Sequence, residues 1–410
     1  MPVADWPENK GRAEIAMASR RLAAAALLAV LFAIGSAARA EAQYLVSGND
    51  EKRSWDENGQ ALVLPPGKDT VSIIDIRNRV EPRVIANLPL MNTIAGPPTS
   101  LAITPDNRLA LIANGLLWTA DGTRWKGVPD DKLFVVDLAA APPRVAATIA
   151  VGRQPAGMAI NRAGTLALVA NRADDSVSVL AIKGSQVTLL DTVTLAEQEA
   201  PKLDASAVAI APDGKRALVT LSRADRVELL TIDGTKVSDT GYAMTTGIRP
   251  SNVQITPDGK LGLVANRGTG GSDGQADTLA IIDLEQTPPR VIDQIVVGDG
   301  PVGLDVSPVG GYAAVLLANG TMSPRNAFFH HDQSQIVLLR IDGKKVQKVA
   351  EMEIGPAAKG LAFSPDGRFL YAGSFVDGKI VVLRIQGTKL VQVGELALGG
   401  HPASLRGSTP

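Results

Sequence analysis

From residue 98 onward, one pattern of apolar and polar positions returns six times. Each unit opens with a short apolar run, turns, and continues through a second apolar run that ends at Asn or Ser. Pro98-Thr-Ser-Leu-Ala-Ile-Thr-Pro-Asp-Asn107 leads into Leu109-Ala-Leu-Ile-Ala-Asn114. Pro250-Ser-Asn-Val-Gln-Ile-Thr-Pro-Asp-Gly259 leads into Leu261-Gly-Leu-Val-Ala-Asn266. From Asp106 through the equivalent Ala163, Asp213, Asp258, Val309 and Asp366, the spacings are 57, 50, 45, 51 and 57. The Ser/Thr-Pro-Asp-Gly element is a turn with a mechanism: Pro presets φ, Asp bonds nearby backbone, and Gly accepts positive φ. A third, β-branched run follows, such as Val177–Ile182, Thr278–Asp283 or Ile380–Ile385, and a fourth resembles Val145–Val151. Four strands per unit at this period predict propeller blades rather than a helical solenoid. No run outside the N-terminal segment has helical period.

The six full units begin near residues 98, 155, 205, 250, 301 and 358. Before them, Tyr44–Gly48, Thr70–Asp75 and Val84–Leu90 read as second, third and fourth strands with no first. At the other end, His401–Gly407 reads as a first strand with nothing after it. Joining the two makes one blade and removes a free edge. The expected fold class is all-β: a seven-bladed β-propeller of four-stranded antiparallel blades, closed by the C-terminal strand joining the N-terminal blade.

The unit G-x-x-P-x-x-V-A-[I/V]-[ST]-P-D-G-x-x-x-x-V-A-N…V-x-[V/I]-I-D resembles the YVTN-repeat propellers, whose superfamily includes the seven-bladed lactonase-like proteins. The resemblance covers nearly the whole chain after residue 40. It is carried by turn and packing residues, so it implies the fold and leaves function open. Sugar-lactone hydrolases, surface-layer proteins and periplasmic binders all share it.

The N-terminus reads as an address. Arg20 and Arg21 precede an apolar run from Leu22 to Ile34, and Ala38-Arg39-Ala40 supplies an A-x-A cleavage pattern. The run is 13 residues, against the 20 or so that a spanning helix needs. Residues 1–40 are therefore expected to be a signal peptide, with Met17 as an alternative start, and 41–410 a single propeller. General secretion is preferred over twin-arginine export, and the mature chain is expected to be periplasmic or secreted, without a transmembrane segment.

Composition narrows the chemistry. The 410 residues include no cysteine, which excludes thiolate catalysis, disulfides, iron–sulfur clusters and CxxCH haem attachment. Lys plus Arg is 41 and Asp plus Glu is 42, a balance that argues against nucleic acid as a partner. No cofactor is implied, and a monomer is expected.

Loops joining strands two and three share a face with the loops that lead into each blade. They are long at roughly 50–68, 115–131, 267–277 and 320–335, and are expected to be irregular. Only 4% of residues are aromatic, yet Trp55, Trp118, Trp125, Phe328 and Phe329 all fall in these loops. They read as a binding surface or as a local core that packs the loops. His330, His331 and His401 belong to the same face; surface or loop packing is preferred over a metal site with Asp332. Asp174-Asp175 and 268–273 read as turns.

Residues just before the first strands should approach the channel mouth: Pro97, Gln154, Asp204, Arg249, Gly300, Ala357 and His401. Arg153, Lys202, Asp299 and Lys359 lie close by, and Arg172, Arg223 and Arg267 follow second strands. This is either a partly cationic funnel for an anionic or carbonyl-rich ligand, or ordinary solvated rim charge. The preferred reading is a binding or interaction module for a small molecule or a periplasmic protein, through Trp55, Trp118, Trp125, Arg153, Arg267, Phe328, His330 and His331. The alternative is a lactonase-like hydrolase. There the resemblance implies a His, an Arg and a carboxylate at the channel mouth, and His401, Arg249 and Asp204 have those residue types.

Overall fold

A computed structural model describes residue 1 and residues 43–409, apart from 57, 59, 196–201 and 270. The segment expected to be a signal peptide lies, apart from residue 1, outside the described residues. Seven four-stranded antiparallel sheets form the blades of one ring, and a two-stranded hairpin decorates it. Among the described residues, no helix is long and apolar enough to cross a membrane.

Blade one is built from both ends of the chain. Its innermost strand, Pro402–Gly407, pairs with Tyr44–Asn49, followed outward by Thr70–Asp75 and Arg83–Leu88. Leu45 lies opposite Gly407 and Ser47 opposite Leu405. Tyr44 and Ser408 exchange backbone and side-chain hydrogen bonds at 2.8–3.1 Å, which ties the closing strand at its end. Blades two to seven start at the inner strands Leu101–Ile103, Pro155–Ile160, Ala205–Ile210, Pro250–Ile255, Pro301–Val306 and Leu361–Phe363.

The alternating pattern has a direct packing consequence. Both faces of each second and third strand are buried, because each blade is sandwiched between two others. Seven apolar clusters result, one at each junction between neighbouring blades. Burial of this kind stabilises at about 25 cal/mol per Å² of apolar surface, and the ring shape leaves no blade with an uncovered face.

The turn element behaves as its residues dictate. In blade two, Thr104 Oγ1 donates to Asp106 Oδ1 at 2.6 Å and accepts from Leu109 N at 3.0 Å. Asp106 Oδ1 also accepts from Arg108 N at 3.1 Å. Blades five and seven repeat this through Thr256–Asp258 and Ser364–Asp366. In blade three, Asn161 does the same work by accepting from Thr165 N and Leu166 N.

Two of the long loops are regular rather than irregular. Segment 115–131 continues the blade-two strands, Leu109–Asp121 and Arg124–Asp137, into a projecting hairpin. Its apolar and β-branched residues keep the ladder going until Gly122 turns it at φ 60°. Segment 50–68 carries a small hairpin of Arg53–Trp55 with Ala61–Val63. It is anchored by buried Lys52, which bridges Asp50 and Asp69 and donates to Asn92 O.

Candidate functional site

The upper channel mouth is built by a repeated backbone device. The residue before the inner strand is left-handed at Gln154 (φ 57°), Asp204 (61°) and Arg249 (52°), and in blade seven Ala357 (50°), four residues ahead of Leu361, is left-handed too. This region is costly for residues with a Cβ. In blades four to six it is stabilised by a carboxylate from the neighbouring two–three loop. Asp175 accepts from Asp204 N at 2.7 Å, Asp225 from Arg249 N at 2.8 Å, and Asp277 from Gly300 N at 2.9 Å. Asp175, expected to be a turn residue, thus joins Asp225 and Asp277 in holding the backbone that leads into the inner strands.

Four cations line a cavity of about 70 Å³ at this mouth: Arg172, Arg249, Arg267 and Lys359. The lining holds a single carboxylate, Asp204, which is already engaged. Arg172 grips it in fork geometry, Nε to Oδ1 at 2.6 Å and Nη2 to Oδ2 at 2.9 Å. Arg267 Nε is buried without a hydrogen-bond partner. Burial, then Arg172 and Arg249, pushes its guanidinium below the usual arginine range. Asp277 opposes this weakly, because burial raises its own carboxyl to about 6. Lys359 is buried and donates to Ile94 O. Burial, then Arg267 and Arg172, holds its ammonium well below the lysine range. The arrangement can accept one compact anionic group and is poorly compensated without it.

A second cavity, of about 590 Å³, lies on the same face among loops of blades one, six and seven. His401 lines it and sits 2.8 Å from Glu51 Oε2 through Nδ1. The hydrogen bond to Glu51 raises the imidazole above its ordinary value. His401 also stacks on Phe375 at 5.3 Å between centroids, and Phe375 meets Trp55 edge-on at 5.7 Å. Phe375 belongs to a small core with Ile94, Ala357 and Ala403, against which Trp55 packs.

The named residues thus separate. Asp204, Arg249 and Arg267 come together at the mouth, and His401 does not join them. Trp55, His330 and His331 line the large cavity. His330 is tied to its own loop through Nδ1 to Ser323 O at 3.0 Å. Trp118 is buried in the blade-two hairpin beneath the Arg53 guanidinium, 5.7 Å from its ring centroid. Trp125 lies on the same hairpin face, half-buried. Phe328 is 86% exposed. Arg153 points outward in an ion pair with Asp174 at 2.7 Å. The loops of blades one, two, five and six do meet on one face: Arg325 N donates to Asn58 O, and Gly274 abuts Phe329. Among the described residues, no group of three or more His, Asp or Glu side chains is placed to hold a metal. The Glu51–His401 pair spans 350 residues of sequence and carried no local signal; only ring closure brings it together.

The model of the lactonase seven-bladed β-propeller family matches residues 158–272, and that of the anaphase-promoting complex subunit 4 WD40 domain matches 327–397. No curated relative matches the sequence. Among solved structures, the periplasmic gluconolactonase of Pseudomonas aeruginosa is 15% identical, with 89% of this chain and 99% of that one covered and a TM-score of 0.66. A functionally unknown protein of Desulfotomaculum acetoxidans is 17% identical over 88% and 99%, with a TM-score of 0.61. Hydrazine synthase of Kuenenia stuttgartiensis is 21% identical over 72% and 78%, with a TM-score of 0.53. At these identities the structural likeness speaks for the fold. The closed ring of seven four-stranded blades makes the chain a seven-bladed β-propeller, and over residues 158–272 it is similar to the lactonase propeller family.

Proposed function

We propose that this protein is an exported binding propeller that takes a small anionic ligand, a carboxylate or phosphate ester, at the upper mouth of its channel. One observation carries the reading. Arg267 Nε is buried and unpartnered, and Arg172, Arg249 and Lys359 converge with it on the same 70 Å³ space. A bound anion supplies the missing counter-charge and hydrogen-bond acceptor. Export rests on the Arg20-Arg21, apolar run and Ala38-Arg39-Ala40 sequence of the first 40 residues.

Lactone hydrolysis is the second reading, favoured by the family match and the gluconolactonase among the structural neighbours. It needs a group at the mouth that activates water. Asp204 is neutralised by Arg172, and His401 lines a different cavity, so a binder fits this mouth better than a hydrolase.

Calorimetric titration of the mature protein with gluconate, 6-phosphogluconate and inorganic phosphate tests the first reading, and turnover of the corresponding lactones tests the second. Saturable binding of one of these anions without turnover is the expected result. Turnover that survives in an Arg267→Leu variant, with no anion binding in the parent, would replace the binder with an enzyme acting elsewhere.

A further inference from the structure

The large cavity on the loop face shares no lining residue with the channel mouth, and its chemistry differs. Its volume of about 590 Å³ suits a small organic molecule. One side is aromatic: the Trp55, Phe375 and His401 rings pack on one another. Pro65, Pro66 and Pro356 form rigid apolar walls.

The lining carries three carboxylates, Glu51, Asp56 and Asp332, and three strong cations, Arg53, Lys68 and Arg325, and the carboxylates are each engaged locally. Glu51 is consumed by His401, accepting from its backbone N and sitting against Nδ1, both at 2.8 Å. Asp56 accepts from Asn58 N and Gln60 N within its own turn. Asp332 lies 3.6 Å from His330 Nε2. Lys68 and Arg325 have no ion-pair partner among the described residues. His401 is fixed twice, by Glu51 and by stacking on Phe375, and its Nε2 has no hydrogen-bond partner among the described residues. With Nδ1–H given to the Glu51 carboxylate, Nε2 becomes an oriented donor when the ring is protonated, the form that the Glu51 hydrogen bond favours.

We propose that this cavity is a second ligand site, independent of the channel mouth, that takes a flat conjugated carboxylate: the ring lies against Trp55 and the proline walls, and the carboxylate pairs with the His401 imidazolium by accepting from its Nε2–H. Flat rings gain contact area and stacking on such a wall at little conformational cost. Lys68 and Arg325 add the attraction that favours the anion over a neutral analogue.

The test is an NMR titration of the mature protein with 2-naphthoate and, separately, with 2-naphthamide, following the His401 ring and Trp55 indole signals. Saturable binding of 2-naphthoate that shifts both signals is expected, with the amide about tenfold weaker, as loss of one charge-assisted hydrogen bond implies. His401→Gln and Trp55→Leu should each weaken 2-naphthoate about tenfold. Glu51→Gln, which keeps a hydrogen-bonding partner beside the ring, should give a smaller loss in the same direction, and serves if His401→Gln does not fold. Arg267→Leu should leave the affinity unchanged. No saturable binding by the parent protein, equal affinity for acid and amide, or loss of binding in Arg267→Leu would each overturn the proposal.

Discussion

The two ends of the central channel are made by the same repeat, yet they treat charge in opposite ways. The lower end is a cavity of about 240 Å³ lined by the C-terminal ends of the inner strands and by turn prolines such as Pro105, Pro212 and Pro257. Its Asp305 and Arg406 lie 3.5 Å apart, and Asp305 also accepts from Phe363 N at 2.9 Å. Burial raises the Asp305 carboxyl despite the pull of Arg406, which marks a desolvated but matched pair. The upper end gathers four cations around one carboxylate that is already gripped. The lower end comes from the turns between first and second strands, whose polar groups satisfy one another in blades two, five and seven. The upper end comes from positions that differ from blade to blade. Stability resides in what the blades share, and the candidate site in what they do not.

This contrast can be broken most directly by removing one cation from each end. Arg267→Leu should lower affinity for the mouth anion by about 100-fold, the scale of a lost charge-assisted contact in a desolvated site. Arg406→Leu should leave that affinity unchanged and destabilise the fold by about 3 kcal/mol, because it strands buried Asp305. Calorimetry and chemical denaturation read the two effects, and equal losses of affinity in both variants would dissolve the distinction.

Lys359→Met sharpens the upper side. Because the folded state holds this lysine's proton less tightly than the unfolded chain, parent stability rises with pH up to the ordinary lysine range. The variant should lose that slope and gain about 1 kcal/mol at neutral pH, with weakened anion binding. A destabilised Lys359→Met would mean that the Ile94 carbonyl already compensates the charge.

Glu228, in blade four and away from both ends, shows what a buried carboxylate does when burial and a neighbouring carboxylate outweigh the one cation nearby, Arg226. Burial first, then Asp239, raises it to about 7. Its stabilising contribution is therefore complete below about pH 4.5 and lost as pH rises through about 7. Glu228→Gln should flatten stability across that window and exceed the parent by about 1–2 kcal/mol at pH 8. Melting curves of the pair between pH 4 and 8 check it; parallel curves would contradict the assignment. Arg153→Ala, which removes an exposed ion pair with Asp174, should change stability by no more than about 0.5 kcal/mol and leave anion affinity alone.

The blades and their closure are legible in the sequence because period, turn chemistry and alternation all point one way. The missing first strand at residue 44 and the spare one at 402 are complementary halves, and Leu45 does pair with Gly407. The charged ring at the mouth is legible as a set of positions. What the sequence does not reveal is which members point inward: Lys359 is buried and Arg267 half-buried with its Nε sealed off, whereas Arg153 and Arg223 are exposed. That sorting depends on left-handed backbone at Asp204 and Arg249 and on aspartates reaching from adjacent loops, none of which has a local signature. The hairpin at 115–131 was hidden for a different reason. Gly115, Gly122, Gly127 and Pro129 punctuate it like a loop, while cross-strand pairs such as Trp118 over Gly127 keep it extended.

The upper mouth concentrates positive charge that a bound anion would compensate. The most direct measurement is the melting temperature of the parent, Arg267→Leu and Arg406→Leu, each with and without saturating 6-phosphogluconate. The account predicts that the ligand raises the parent and Arg406→Leu alike and leaves Arg267→Leu unmoved, and that Arg267→Leu alone melts no lower than the parent without ligand. A ligand shift that persists in Arg267→Leu, or an Arg267→Leu protein as destabilised as Arg406→Leu, would contradict it.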